Sequence, residues 1–358
     1  MVKDNDYAYA VAKIKALSTR LFDQAYLMRM VDAEDMDSLI KLLSGRGYPV
    51  TSNLDESLDQ ELVDSYRFCE GLLIDEHKNI ITALRKKYDY HNCKALIKAE
   101  LLGENKDELL SECGSIDPEI LSEAVRERNF GKLPGEMGNA VKECFAYLEQ
   151  ERNTHKCDII LDRACYSDML QLAKEANNAF FIKYVKDRID VSNIIAFFRI
   201  KKNGGSEHDL KEILVSGGTI GTRNLSIGMG YDALKSYLKE AGFGQEIESA
   251  VEQLEKEGSF TSLERLLDDY LIHFIKSVKY QSFGPEPIIA YLFAKESELT
   301  AVRIIAKTAL IRRHGVLITA NLLQKRLRIK FSKSLNRHIL TACHCSAENP
   351  LNLQIKEP

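Results

Sequence analysis

One helical pattern occurs three times in this chain, at nearly equal intervals. Each copy starts with an acidic residue, continues with apolar residues three and four positions apart, and ends with a basic residue. The copies begin at Asp89, Asp190 and Glu298, so their acids are 101 and 108 positions apart. This interval exceeds the roughly 20–50 residues of a typical solenoid repeat. It predicts three related helical subdomains around one pseudo-threefold axis.

The polar positions of the three copies are candidates for one shared role. They are, in chain order, Asp89, Asn92, Asp190, Asn193, Arg199, Glu298 and Arg303. We expect the acids at helix N-termini, where a carboxylate accepts hydrogen bonds from free backbone amides. The asparagines, three residues after the acid, are expected to bond to a neighbouring helix, and the arginines to pair with acids of an adjoining subdomain. Three copies favour a scaffold over three active sites of one kind.

A second, shorter repeat supports the first. Residues 37–48 combine an amphipathic pattern with a final glycine and aromatic residue, and residues 232–243 repeat this arrangement 195 positions later. A glycine just after an apolar stripe marks the end of a helix. The alternation that is typical of strands is nearly absent. The sequence therefore predicts an all-α fold.

The spacing of the repeats also predicts the domain boundaries. We expect three helical subdomains at residues 1–113, 114–213 and 214–320. The remaining residues, 321–358, are expected to form an atypical basic C-terminal tail.

Composition places the chain among cytoplasmic globular proteins. Of its 358 residues, 45% are hydrophobic and 28% are charged, which is close to globular averages. No run approaches the roughly 18 apolar residues of a membrane-spanning helix, and the N-terminus lacks the apolar segment of a signal peptide. Eight cysteines occur without a CxxC pair, so we expect reduced, buried thiols.

Charge is distributed unevenly along the chain. Residues 1–298 contain 38 Lys and Arg against 51 Asp and Glu, a balance of −13, whereas residues 299–358 contain 11 against 2, a balance of +9. Such a basic zone is typical of contact with nucleic acid, an anionic membrane or an acidic protein. A helical adaptor that binds nucleic acid or acidic proteins through this zone is therefore one alternative function. For Arg303, Lys307, Arg312 and Arg313, a solvated helix face is the simpler interpretation.

Motifs for catalysis, nucleotide binding and metal binding are absent from the sequence. The glycine-rich stretches at residues 217–222 and 228–230 do not fit the phosphate-loop pattern GxxxxGK[ST], so we interpret them as bends between helices. The eight histidines form no HExxH motif, and no nucleophile elbow is present. We expect no cofactor, no metal and no catalytic residue. An enzyme whose active site forms only in the folded chain is the third hypothesis.

Four segments, taken together, resemble the C subunit of prokaryotic V-type (A/V-type) ATPases, whose eukaryotic counterpart is the d subunit. They are residues 9–17, residues 190–194, the loop at Gly217 and residues 294–305, in an order and spacing that extend over about residues 5–313.

The resemblance implies a funnel of three pseudo-threefold helical subdomains on the cytoplasmic face of the membrane rotor ring. It also implies binding to the central-stalk D and F subunits, rotation with the ring, and no catalysis. The chain would be a monomer within the larger complex, without a nucleic-acid or small-molecule ligand. Residues 322–333 and 343–350 depart from the usual ending of the family, which indicates either a lineage-specific tail or a sequence artefact.

Overall fold

The chain folds into α-helices throughout the part that the structure describes. The computed structural model describes residues 7–48, 53–103, 110–151, 154–243, 245–257, 260–278 and 280–313. These residues form fourteen α-helices and a few short 3-10 turns, and no strand occurs among them. The predicted all-α fold is confirmed. None of the described helices is long and apolar enough to cross a membrane. The predicted C-terminal tail, residues 321–358, lies outside the described residues.

The helices are numbered in chain order. They are α1 Ala8–Ser18, α2 Gln24–Val31, α3 Met36–Ser44, α4 Leu54–Glu70, α5 Lys78–Leu102, α6 Pro118–Arg126, α7 Glu136–Gln150, α8 Thr154–Glu175, α9 Ala179–Lys202, α10 Glu207–Ile213, α11 Tyr231–Glu240, α12 Gln245–Glu257, α13 Phe260–Lys276 and α14 Glu286–Arg313.

Two compact units can be distinguished by their internal contacts. In its described part, the first unit contains residues up to Leu84 together with those from Leu170 to residue 313. The second contains Arg85–Met169. The three predicted subdomains and their pseudo-threefold arrangement remain a prediction.

Two long helices organise the first unit. Helix α14 packs against α1, α2, α3 and α4, and α9 packs against α10 and α13. Asn178 caps the start of α9, because its side chain accepts a hydrogen bond from the backbone amide of Phe181. Both long helices bury large side chains, including Phe197 in α9 and Phe293 in α14. They therefore supply the core on which the shorter helices rest.

The second unit has polar contacts inside its core. Lys94 in α5 forms a buried ion pair with Asp162 in α8, with a nitrogen–oxygen distance of 2.5 Å. The Tyr90 hydroxyl of α5 donates to Asp168 of α8 at 2.8 Å. A buried charge is tolerated when it is paired and hydrogen-bonded. These contacts fix the register of α5 against α8.

The short repeat corresponds to a shared helix ending. Helices α3 and α11 both end before a glycine with positive φ, +86° at Gly47 and +92° at Gly242. In each case the following aromatic residue donates its amide to a carbonyl five residues earlier: Tyr48 to Leu43, and Phe243 to residue 238. This is the Schellman motif, which glycine favours because it has no Cβ. The predicted helix ends are confirmed.

Replacing Gly242 by Ala should lower the free energy of unfolding by about 1–2 kcal/mol, because φ of +92° is unfavourable for a residue with a Cβ. No atom lies within 4 Å of the added Cβ, so the loss would come from backbone strain alone. Gly230→Ala, at the other end of α11, is the matched control. It has ordinary φ and equally open surroundings, and should change stability by less than about 0.5 kcal/mol. Urea denaturation of both variants provides the measurement, and equal losses would contradict the strain argument.

Candidate functional site: the carboxylate clamps

The acids that begin the repeat copies lie in the middle of long helices. Asp89 is in α5, Asp190 in α9 and Glu298 in α14, each more than ten residues after the helix start. The expectation that they occupy helix N-termini is wrong. In the middle of a helix, the amides of the same helix already bond to carbonyls four residues earlier. These carboxylates therefore accept hydrogen bonds from other segments, and we call each such arrangement a clamp.

The second clamp holds the loop after α10. Asp190 accepts the amide of Ile220 at Oδ1 (2.9 Å) and that of Thr219 at Oδ2 (2.8 Å). Asn193 donates from Nδ2 to the Val215 carbonyl and accepts the Val215 amide at Oδ1, both at 2.8 Å. Asp190 is 0% and Asn193 1% exposed. Four hydrogen bonds, three of them buried, thus attach the backbone of this loop to α9. Asn193 bonds to a loop, not to a neighbouring helix as expected.

The first clamp repeats this geometry in the second unit. Asp89 accepts the Ile116 amide at Oδ1 (3.0 Å) and the Ser115 hydroxyl at Oδ2 (2.5 Å). Asn92 bonds to both the carbonyl and the amide of Ser111, at 2.9 and 2.8 Å. The loop positions 111, 115 and 116 have the same spacing as 215, 219 and 220 in the second clamp. The first and second copies therefore have the same helix pattern, and each binds its own loop through residues of the same spacing.

Glycine is required where the carboxylates of the first two clamps meet their loops. A Cβ at Gly114 would lie 2.3 Å from Asp89, and a Cβ at Gly218 would lie 2.0 Å from Asp190. The sequence predicts a bend at residues 217–222, but the partner of this bend was missed. The available signal was the pair of Gly-Ser-Ile and Gly-Thr-Ile triplets, 25 and 28 residues after the acids.

The third clamp holds a segment from the start of the chain. Glu298 accepts the backbone amide of Phe22 and the hydroxyl of Tyr48. The Lys295 ammonium lies 3.0 Å from the Glu298 carboxylate. Ala301 stands where the other two copies have asparagine, so this clamp lacks the pair of hydrogen bonds between an asparagine side chain and the loop backbone. The carboxylate–amide contact is the feature that it shares with both of the other clamps.

The charge beside each acid differs among the copies. A lysine three residues earlier faces the acid in the first and third clamps, and the distance from Lys86 to Asp89 is 3.3 Å. The second copy has Asp187 at that position. Burial raises the pKa of Asp89 above its ordinary value, although Lys86 lowers it. Burial raises the pKa of Asp190 to about 6; Asp187 contributes to the increase, while the amides of the loop oppose it.

The two arginines of the repeat pair with acids on other helices. Arg199 lies 2.9 Å from Glu264 of α13. Arg303 contacts Asp59 and lies 3.7 Å from Asp55, both in α4. These pairs are partly exposed, and exposed ion pairs contribute at most about 1 kcal/mol. They orient α13 on α9 and α4 on α14 more than they stabilise the fold.

A mostly apolar cavity of about 220 Å³ lies beside the third clamp within the first unit. Its lining consists of Leu21, Phe22, Leu27, Ile272, Ile275, Lys276, Ala290, Phe293, Ala294, Ser297 and Glu298. Alignment of Glu298 with Asp190 places Ala290 opposite Ile182 and Ser297 opposite a second isoleucine. Ala290 and Ser297 are thus smaller than the residues at the aligned positions of the second copy.

Metal chemistry has no support among the described residues. Within the described parts of the chain, no group of three or more His, Cys, Asp or Glu side chains could hold a metal ion. The buried acids instead bond to backbone amides, hydroxyls and lysines. The clamps are suited to holding loops in place.

Comparison with known proteins identifies the family. The sequence model of the family described as ATP synthase (C/AC39) subunit matches residues 10–310. The chain belongs to this family. The resemblance to the C subunit of A/V-type ATPases, drawn from the order of the repeats, is therefore confirmed.

Several relatives of the ATP synthase (C/AC39) subunit family match most of the chain. It is 25% identical to the C subunit of the V-type sodium ATPase of Enterococcus hirae over 300 residues, which is 82% of this chain and 90% of the relative. It is 26% identical to the C subunit of the A-type ATP synthase of Methanocaldococcus jannaschii over 329 residues, 84% of this chain and 82% of the relative. It is 25% identical to the C subunit of the A-type ATP synthase of Haloferax volcanii over 327 residues, which is 84% of this chain and 92% of the relative.

Asn193→Ala should lower the free energy of unfolding by about 1–3 kcal/mol, because it leaves the buried amide and carbonyl of Val215 without their partner. Asn203→Ala is the matched control. Asn203 is exposed at the end of the same helix, and its replacement should change stability by less than about 0.5 kcal/mol. Chemical denaturation of the two variants gives the comparison. If both variants lose the same stability, the two hydrogen bonds of Asn193 do not hold the loop.

The raised pKa of Asp190 predicts a pH dependence of stability with a defined sign. Below its ordinary value of 3.8, Asp190 is protonated in both the folded and unfolded states. Between 3.8 and about 6, only the folded state holds the proton, so stability falls as pH rises through this window. Relative to Asp190→Asn, the wild type should lose about 2–3 kcal/mol between pH 4 and pH 7.

Urea titrations of both proteins across this range provide the measurement. Asp209→Asn gives a control of opposite sign, because hydrogen bonds from Ser206 lower the pKa of exposed Asp209. Parallel stability curves for the wild type and Asp190→Asn would show that Asp190 ionises normally.

Proposed function

We propose that this chain is the non-catalytic connector of an A/V-type rotary ATPase, joining the shaft of D and F subunits to the membrane rotor ring. The observation that carries the proposal is the family match over residues 10–310. The relatives are named as C subunits of a V-type sodium ATPase and of A-type ATP synthases. In such a complex, the connector would transmit torque between ion movement in the membrane and ATP turnover.

The clamps support a mechanical role. A part that transmits torque must keep its loops fixed while its partners pull on them. In the clamps, loop backbone is bonded to long helices at Asp89, Asp190 and Glu298. Buried hydrogen bonds are costly to break, because the separated groups cannot readily bond to water. Loops held in this way resist local deformation.

Charge supports docking between rotor components. Residues 1–298 have a balance of −13, so the body of the chain is acidic. Complementary charge speeds encounter and fixes orientation between partners. We propose that basic surfaces of the shaft or ring meet this acidic body, with the protein acting as a monomer on the cytoplasmic face of the membrane. The three predicted subdomains, residues 1–113, 114–213 and 214–320, would match the ring as a funnel.

The adaptor hypothesis depends on the basic zone at residues 299–358. Most of this zone lies outside the described residues. Within the described part, Arg303 is already engaged by Asp55 and Asp59 of α4. This engagement gives the nucleic-acid hypothesis no support, and we retain the connector as the proposed function.

Reconstitution tests the proposal. Vesicles that contain the rotor ring but lack this protein should retain the D–F pair only after addition of the purified chain, at about one chain per ring. The retained amount should fall as salt rises, because docking relies on charge. An unrelated acidic helical protein serves as the control.

A nucleotide titration completes this test. The isolated chain should show no ATP binding, since it carries no phosphate-loop sequence. Retention of D–F without the chain, or stoichiometric ATP binding by it, would overturn the proposed role.

A further inference from the structure

Thiols are concentrated in the second unit. Five of the six cysteines in the described residues lie between positions 85 and 169, and all of them are buried. Two of the five face each other across the hairpin formed by α7 and α8. The Cys144 sulfur lies 3.7 Å from the Cys157 carbonyl, and the Cys157 sulfur lies 3.7 Å from the Cys144 carbonyl.

We propose that Cys144 and Cys157 are an oxidisable pair that forms a reversible disulfide and links α7 to α8. Each sulfur lies 3.7 Å from the backbone carbonyl of the opposite cysteine, so the two side chains adjoin where a disulfide would have to form. The pair spans the short connection between Gln150 and Thr154. In a reducing compartment the thiols are the resting state, and the disulfide forms under oxidative challenge.

The surroundings assign different roles to the two sulfurs. Cys157 is the fourth residue of α8, near the positive end of the helix dipole, and the positive charge of Lys98 favours its thiolate. Interaction with the adjoining Cys144 thiol lowers the pKa of Cys157 below its ordinary value, and the same interaction raises the pKa of Cys144. Cys157 is therefore the attacking thiolate, and Cys144 is the thiol that resolves the product.

A peroxide supplies the oxidising equivalents. The Cys157 thiolate attacks one oxygen of hydrogen peroxide, the O–O bond breaks, and a sulfenic acid forms as the released hydroxide takes up a proton to become water. The Cys144 sulfur then attacks the Cys157 sulfur and displaces hydroxide, which leaves as water with the proton of the Cys144 thiol. Two thiols and one peroxide thus give one disulfide and two waters. A dithiol reductant then reduces the disulfide to the two thiols and is itself oxidised to a disulfide.

Other buried cysteines provide internal comparisons. Burial raises the pKa of Cys69, in the first unit, to about 12, and it also raises the pKa of Cys93 above its ordinary value. Protonated thiols are poor nucleophiles. Oxidation of the folded protein should therefore occur first at Cys157.

The experiment oxidises the reduced full-length protein with hydrogen peroxide under native conditions. After the remaining thiols are blocked, peptide mapping should find Cys144 linked to Cys157, with a mass loss of two hydrogens that dithiothreitol reverses. The linked protein should melt about 3–6 °C higher, because the cross-link restricts the unfolded chain. In Cys144→Ser, the sulfenic acid at Cys157 should persist and react with dimedone. Cys165→Ser is the matched control and should form the Cys144–Cys157 link as the wild type does.

The peptide map of the oxidised wild-type protein is sufficient to overturn the proposal, so the result does not depend on how well the variants fold. Oxidation of Cys69 or Cys93 before Cys157 would contradict it. So would the absence of the Cys144–Cys157 link in protein that retains its helical circular dichroism during peroxide treatment.

Discussion

A carboxylate in the middle of a helix, bonded to the backbone of a separate loop, is the interaction on which much of this structure depends. An ionised carboxylate is costly to bury, and a buried loop must also find partners for its amides. Each group satisfies the other when Asp190 accepts the amides of Thr219 and Ile220. The same exchange occurs at Asp89 and Glu298, with a single amide in each case. Long helices thereby determine the path of loops that have little regular structure of their own.

The three clamps differ in the groups that compensate the negative charge of the buried acid. Lysines beside Asp89 and Glu298 provide a compensating positive charge at close range. Asp190 has no lysine at that position, and Asp187 instead adds a second negative charge nearby. In the second clamp, two backbone amides donate to the acid, and Asn193 adds hydrogen bonds to the same loop. One helical pattern thus tolerates opposite charges next to its central acid, provided that enough donors converge on it.

Much of the helical architecture could be predicted from local sequence. Apolar periodicity predicted the all-α fold, and the glycines of the short repeat marked helix ends at Gly47 and Gly242. The positions of the acids were misjudged because each marks the repeat without starting its helix: α5 begins at Lys78, well before Asp89. Clamp partners were missed because they are distant in sequence. Asp89 reaches 27 residues forward, and Glu298 reaches 276 residues back to Phe22. Local periodicity carries no information about such pairs.

The third clamp sets an order of events during synthesis. Asp190 finds its partner amides within 30 residues, so that contact can close soon after the loop leaves the ribosome. Phe22 must wait until Glu298, 276 positions later, has been made. Tyr66 waits similarly for Glu296. Contacts of such long sequence separation form late, because their closure entropy must be met first. The N-terminal helices therefore emerge early but gain these partners only after Glu296 and Glu298 have been made, and a nascent chain of this protein has a long interval in which chaperones can act on it.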